Sequence, residues 1–253
     1  MGSARTMYPQ LCGDLAALPD HDILQPLEEI TSGSSSFGPR AEWTDWYHYL
    51  LPRVMMRQWA PTYFHPAERL ISAFMNQHSD LDGDVPYPEF RIDALDSLGR
   101  AIMAPHYWRA GPIDTVNGRD PGPGPGGPAG WTRTGNLVSA SLFFCAKYLR
   151  PTEVGAWFRA VVAIPDRYWR VRIIAWLTGA HPILTGAIAQ PAAFPEASAF
   201  DVAWDWSHAI KGDAAGHPFL PPANSEAIVR VARGMEVETF LEDFWSDPMT
   251  SAF

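Results

Sequence analysis

Two short stretches of the sequence repeat one pattern of chemically active residues. DWYH covers positions 45–48, and DWSH covers positions 205–208. Residues three apart share a face of a helix, so each copy would place an aspartate carboxylate beside a histidine imidazole. Such a pair can orient the imidazole for proton transfer, and two converging pairs could bind a divalent metal ion. The candidate metal ligands are Asp45, His48, Asp205 and His208.

The tryptophan inside each copy supports a second interpretation. A large aromatic side chain commonly anchors a helix in the core, and the aspartate and histidine would then lie on solvated faces. Aromatic residues are also enriched at protein interfaces, and this chain contains 11 Trp and 8 Tyr. Core burial and a binding surface are both open at this point. The predicted binding surface consists of Trp43, Trp46, Tyr47, Trp204 and Trp206.

A third motif resembles part of a calcium-binding loop. Asp80, Asp82 and Asp84 alternate as in such loops, but Val85 stands where the turn needs glycine and Arg91 where a bidentate glutamate belongs. A polar turn between helices is the favoured interpretation, with a weak calcium site as the alternative.

Capping residues and prolines predict which helices would position these side chains. Thr44 can cap a helix that carries DWYH, and Pro52 is expected to end or kink it. Pro66 fits the first position of the next helix, whose core face would include Leu70 and Phe74.

Apolar residues recur at helical spacing along much of the chain, whereas strand-like alternation is sparse. The predicted fold class is therefore all-α, an irregular multi-helix domain with long Pro/Gly-rich loops. The predicted stripes include Val138, Leu142, Cys145 and Leu149; Val154, Trp157, Phe158, Val161 and Val162; Trp169, Ile173, Trp176 and Leu177; and Val237, Phe240, Leu241, Phe244 and Trp245.

Two stretches lack the composition of regular elements. TSGSSSFGPR at 31–40 is typical of a flexible connector, and PGPGPGGPAG at 121–130 can form neither a helix nor a central strand. We therefore predict an N-terminal segment and connector at 1–40, followed by a single helical domain at 41–253 with a loop excursion at 111–131.

RIDALDSLG at 91–99 and RIIAWLTG at 172–179 follow the proline-acidic pairs at 88–89 and 165–166. They resemble the second helices of HEAT-type repeats, over about 30 residues and at roughly twice the spacing of a repeat of about 40 residues. The resemblance implies stacked helix pairs.

Charge and composition limit the classes of partner and location. The net charge of −9 disfavours nucleic acid, whose phosphates need local positive charge, and suits a basic protein partner. Cys12 and Cys145 form no paired motif, which favours a reducing cytoplasm. No apolar run of about 18 residues is present, so no membrane span is expected. The N-terminal residues contain no apolar stretch of signal-peptide length, so no secretion signal is expected.

These observations lead to two hypotheses about function. The leading one is a cytoplasmic all-α scaffold or an inhibitor of the immunity-protein type, which binds a protein partner through an aromatic and acidic surface and needs neither cofactor nor catalysis. The alternative is a metal-dependent enzyme in which the two Asp-Trp-x-His turns converge on a divalent metal ion.

Overall fold

The computed structural model describes residues 7–33, 40–56, 67–78, 85–99, 130–165, 167–189 and 218–236. Within these ranges every regular element is helical and none is a strand, which confirms the all-α prediction. None of the helices in the same ranges combines the length and apolar character that crossing a membrane requires.

The helices are numbered in chain order. Their bounds are α1, Asp20–Gly33; α2, Arg40–Met56; α3, Ala67–Gln77; α4, Phe90–Ala94; α5, Gly130–Tyr148; α6, Pro151–Val162; α7, Arg167–Leu184; and α8, Pro222–Arg233. A 3-10 turn at Pro9–Cys12 precedes α1, and a π-helical turn at Leu95–Gly99 continues α4.

Helix α2 carries the first Asp-Trp-x-His turn and is longer than predicted. It begins at Arg40, before the predicted cap Thr44, and continues through Pro52 to Met56. Because proline has no N–H, Pro52 cannot donate the helical hydrogen bond to the carbonyl of His48. Buried apolar side chains on both sides of the proline keep the helix continuous despite this lost bond.

Helix α3 lies against α1, α2 and α5. Leu70 and Phe74 are buried as predicted, and Pro66 lies outside the described residues. The helix ends at Gln77, and the N–H of His78 donates to the carbonyl of Phe74 at 2.8 Å. His78 is therefore held at the C-terminal end of the helix.

The stretch after Pro88 forms two short elements. Five α-helical residues, Phe90–Ala94, are followed by the π-helical turn, which packs closely against α5. The Ser141 hydroxyl on α5 donates to the Leu98 carbonyl at 3.1 Å. This bond joins the π-helical turn to α5.

The predicted stripes on α5, α6 and α7 face the core, which confirms these three helices. Their buried members are Leu142, Cys145, Leu149, Val154, Trp157, Phe158, Val161, Trp169, Ile173 and Trp176. Val162 and Leu177 are only partly buried against this core, and the side chain of Val138 lies outside the described residues. The Trp169 indole N–H donates to the Val161 carbonyl at 2.7 Å, so the polar atom of this buried ring is satisfied across α6 and α7.

Helix α8 closes the C-terminal end of α5 through one buried side chain. The Asn224 amide nitrogen donates to the carbonyls of Ala146 and Leu149, both at 2.8 Å. The last carbonyls of a helix have no intrahelical donor. Asn224 therefore caps α5 from another element and fixes α8 against it.

The N-terminal region differs in part from its prediction. Residues 31–33, predicted as connector, belong to the end of α1, whereas 34–39 lie outside the described residues. Leu11, Leu27 and Ile30 are buried in the same cluster as the later helices. The division at residue 40 stays a prediction.

Two further predicted features lie mainly outside the described residues. Positions 111–129 of the predicted loop excursion lie outside the described residues, whereas Gly130 and Trp131 form the start of α5. The predicted C-terminal stripe from Val237 also lies outside.

The two segments that resemble HEAT repeats adopt different structures. Segment 91–99 spans α4 and the π-helical turn, while segment 172–179 lies inside the single helix α7. The most extensive helix packing joins α6 to α8 and α3 to α5. HEAT-like stacking therefore stays a prediction from the resemblance.

Candidate functional site

The aromatic residues around the first Asp-Trp-x-His turn lie in the core. Trp43, Trp46 and Tyr47 are each 0% exposed. Tyr8 covers both indoles, with ring centroids 6.3 Å from Trp43 and 6.1 Å from Trp46. The prediction that these three side chains form a binding surface is corrected by their burial. Trp204 and Trp206 lie outside the described residues.

The predicted metal ligands are only partly covered by the structure. Asp45 is exposed on α2, His48 is half-buried one turn later, and Asp205 and His208 lie outside the described residues. Among the described residues, no group of three or more histidine, cysteine or acidic side chains has the geometry to hold a metal ion. Asp45 therefore does not join His48 in such a group there.

His48 instead faces a histidine that the sequence did not single out. Its Nε2 atom lies 3.3 Å from Nε2 of His78. The ring centroids are 5.3 Å apart and the ring planes are inclined by 62°. Helix α2 presents His48, and the C-terminal end of α3 presents His78. The packing of these helices thus brings together two imidazoles that are 30 residues apart.

Aromatic rings enclose the histidine pair. Phe90 lies 4.8 Å from the His78 ring and 5.7 Å from the His48 ring, measured between centroids. Phe74 lies 4.8 Å from His78 and stacks on Phe90 at 5.4 Å. Tyr47 contacts His48 from its own helix at 5.5 Å. These rings exclude water from part of both imidazoles and fix their orientation.

Burial favours the neutral form of both histidines. It lowers the pKa of His48 below its usual value. The pKa of His78 falls to about 4, mainly because of burial and also because of repulsion from His48. A neutral imidazole is the form that donates a lone pair to a metal ion. Near neutral pH, therefore, the pair is prepared to share a proton or to bind a cation.

His78 carried a sequence signal that the repeated motif obscured. It follows Leu70 and Phe74 at intervals of four residues, and both of these are buried. A histidine at the end of an apolar helical stripe lies at the boundary of the core. No local spacing, however, relates His78 to His48, because the two belong to different helices.

An apolar groove lies between α7 and α8. Its volume is about 480 Å³, which falls within the range of ligand sites. The lining residues are Ile174, Leu177, Thr178, His181, Pro182, Ala232 and Met235. Thr178 and His181 are exposed and supply polar atoms at an otherwise apolar surface.

No protein-family model, curated protein or solved structure matches this chain. The chemistry of the histidine pair and of the groove is therefore what indicates a function.

Proposed function

We propose that this protein binds a divalent transition-metal ion between His48 and His78. The observation that carries this proposal is the Nε2–Nε2 distance of 3.3 Å. Imidazole nitrogens bind zinc at about 2.0–2.1 Å, and two such bonds at a tetrahedral angle place the nitrogens about 3.3–3.4 Å apart. The described pair has the spacing of two adjacent ligands of one tetrahedral ion.

The distance between the two ring centroids agrees with the same proposal. Each bond to a metal would extend along the line from the ring centroid through Nε2. With Nε2 about 1.2 Å from its centroid, a tetrahedral zinc ion would hold the two centroids about 5.3 Å apart. The observed centroid distance is 5.3 Å. The Nε2–Nε2 distance and the centroid distance therefore both agree with two imidazoles that bind one tetrahedral ion.

The ligand type indicates the class of metal. Imidazole suits zinc, copper, nickel and iron, whereas magnesium and calcium prefer oxygen ligands. The pair supplies two nitrogen ligands to an ion that accepts four. We therefore expect zinc and cobalt to bind in a tetrahedral geometry and magnesium not to compete.

Metal affinity measured on protein without a histidine tag tests this proposal. Calorimetric titration with zinc should show one site, which His48→Ala and His78→Ala each remove. Binding should also stabilise the fold, by about 2.7 kcal/mol when free zinc is 100 times its Kd. Cobalt should give the intense visible absorption of a tetrahedral complex.

His181→Ala is the matched control, because His181 is exposed on α7 and lines the groove. It should bind zinc as the wild type does. Zinc that still binds after loss of both His48 and His78 would contradict the proposal, as would wild-type protein that binds neither zinc nor cobalt.

A second proposal, that the chain binds a protein partner, is favoured by the groove between α7 and α8. Amphipathic helices commonly insert apolar side chains into grooves of this kind. The net charge of −9 favours a partner with basic residues, such as a basic cytoplasmic protein. The aromatic and acidic surface of the sequence hypothesis is replaced here by aliphatic side chains and Met235.

Two threonines on α7 and just beyond it allow a matched test of the groove. Thr178 lines it, whereas Thr185 does not. Both are exposed, and each hydroxyl donates to the carbonyl four residues earlier, at 2.9 Å and 2.7 Å respectively. A partner retained by wild type and Thr185→Arg but lost by Thr178→Arg would support binding in the groove. Equal retention by both variants would exclude the groove as its site.

A further inference from the structure

The histidine pair depends on a bond made by a third element. The carbonyl of His78 lies just beyond the end of α3, where backbone acceptors lack intrahelical donors. The hydroxyl of Tyr148, at the end of α5, donates to this carbonyl at 2.6 Å. The two residues are 70 positions apart, so this bond is a tertiary contact.

Tyr148 is itself held firmly in position. It is 5% exposed, and its ring lies 4.7 Å from Phe144 and 5.4 Å from Phe74, measured between centroids. Its carbonyl accepts a hydrogen bond from Arg91 at 2.9 Å. Arg91 in turn forms two hydrogen bonds with Glu153, at 3.1 Å and 3.3 Å. The hydroxyl therefore projects toward His78 from a residue fixed by α4, α5 and α6.

The position of this carbonyl bears directly on the metal geometry. His78 lies just past the end of α3, and its imidazole extends from the same residue whose carbonyl Tyr148 binds. A metal site requires ligand atoms within about 0.5 Å of their productive positions. A shift of the His78 backbone would move its Nε2 away from the position 3.3 Å from Nε2 of His48.

We infer that Tyr148 is a positioning residue for metal binding by His48 and His78. This inference rests on the proposed function. Tyr148 does not contact the ion; its hydroxyl holds the His78 backbone so that the imidazole meets the ion at the required angle. Partners of this kind, which orient a ligand without binding the metal, typically contribute 10–100-fold to metal affinity.

Tyr47 on α2 provides a matched control, because Tyr47→Phe keeps the ring that contacts His48 and removes only the hydroxyl. Its hydroxyl donates to the Leu70 carbonyl of α3 at 2.8 Å, and its side chain is 0% exposed. Tyr47→Phe and Tyr148→Phe therefore each remove one hydroxyl that binds a backbone carbonyl, at Leu70 on α3 and at His78 just beyond its end. Only Tyr148→Phe removes the bond at His78, so a general loss of stability should affect both variants alike.

The experiment measures zinc affinity and the visible spectrum of the cobalt complex for wild type and both variants. Tyr148→Phe is expected to weaken zinc binding about tenfold and to alter the cobalt spectrum. Tyr47→Phe is expected to change neither. Equal affinities and spectra for the two variants would overturn the role of Tyr148, whereas wild type that binds no metal would overturn the proposed function itself.

A second variant covers the case in which Tyr148→Phe does not fold. Arg91→Gln leaves the tyrosine intact but removes the guanidinium that holds its carbonyl. Weaker zinc binding in this variant, with the helical circular dichroism of wild type, supports the inference. Unchanged affinity and spectrum overturn it.

Discussion

At the scale of single residues, Gly99 shows how closely the π-helical turn approaches α5. A β-carbon at this position would lie 2.5 Å from Sγ of Cys145 and 3.2 Å from Cδ1 of Phe144. Both neighbours are 0% exposed and have no space to withdraw into. The absence of a side chain is therefore what allows the turn to pack against the helix.

We expect Gly99→Ala to destabilise the protein by about 1–3 kcal/mol, the usual cost of an added group in a packed core. Urea unfolding followed by circular dichroism measures this change. Gly155→Ala is the matched control, because the nearest atom to an added β-carbon there is the Arg159 guanidinium at 3.7 Å. Gly155 lies inside α6, where alanine should stabilise the fold by about 0.4–1 kcal/mol. If both substitutions shift stability in the same direction, close packing is not what requires Gly99.

At the scale of elements, one ion pair links α4 to α6. Arg91 lies on α4 and Glu153 in the first turn of α6, where its carboxylate also accepts the Arg150 backbone N–H at 2.8 Å. The hydrogen bonds from Arg91 lower the pKa of Glu153, partly opposed by burial. The carboxylate thus stabilises the start of α6 and its attachment to α4.

This lowered pKa predicts a pH-dependent contribution to stability. The pKa of Glu153 is lower in the folded state than in the unfolded state. The stabilisation from its carboxylate is therefore fully present above the unfolded pKa near 4.5 and is lost as the pH falls through the lower folded pKa. Glu153→Gln should therefore reduce stability by about 1 kcal/mol at pH 7, since the pair is partly exposed. The difference from wild type should shrink steadily below pH 4.5.

Thermal unfolding of wild type and Glu153→Gln across this pH range measures the effect. Glu226→Gln, at an exposed position on α8, serves as the comparison. A wild-type advantage over Glu153→Gln that stays constant down to the lowest pH would show that the carboxylate charge does not contribute.

At the scale of the whole molecule, one buried cluster joins the described elements. It extends from Leu11 in the 3-10 turn through Trp43 and Trp46 on α2 to Trp176 on α7 and Ile228 on α8. Burial of large apolar side chains is the main favourable term in folding. A shared cluster therefore couples the stability of helices at the two ends of the chain.

We predict that these elements unfold in one cooperative transition. Tryptophan fluorescence reports on buried indoles of α2 and α7, while far-ultraviolet circular dichroism reports on all helices. Urea curves from the two probes should coincide. Two separated transitions would instead show that part of the chain folds independently, and variants with one tryptophan each would locate the boundary.

Local periodicity was enough to predict much of the fold. Stripes such as Trp169, Ile173 and Trp176 mark the buried face of a helix because side-chain direction repeats every 3.6 residues. Helix ends were less predictable. Thr44 has the chemistry of a cap, yet α2 begins at Arg40 and continues through Pro52, because core packing outweighs local preference.

The sequence by itself determined the helical class and placed Asp45 and His48 on one face of α2, since both follow from backbone geometry within one helix. The sequence left two roles open for Trp46, core anchor and binding surface. The tertiary structure buries its side chain in the core. Only the tertiary structure decided that His48 faces His78 and that Tyr148 holds the His78 carbonyl. These contacts depend on how α2, α3 and α5 pack, and the spacing of residues within one helix carries no information about its neighbours.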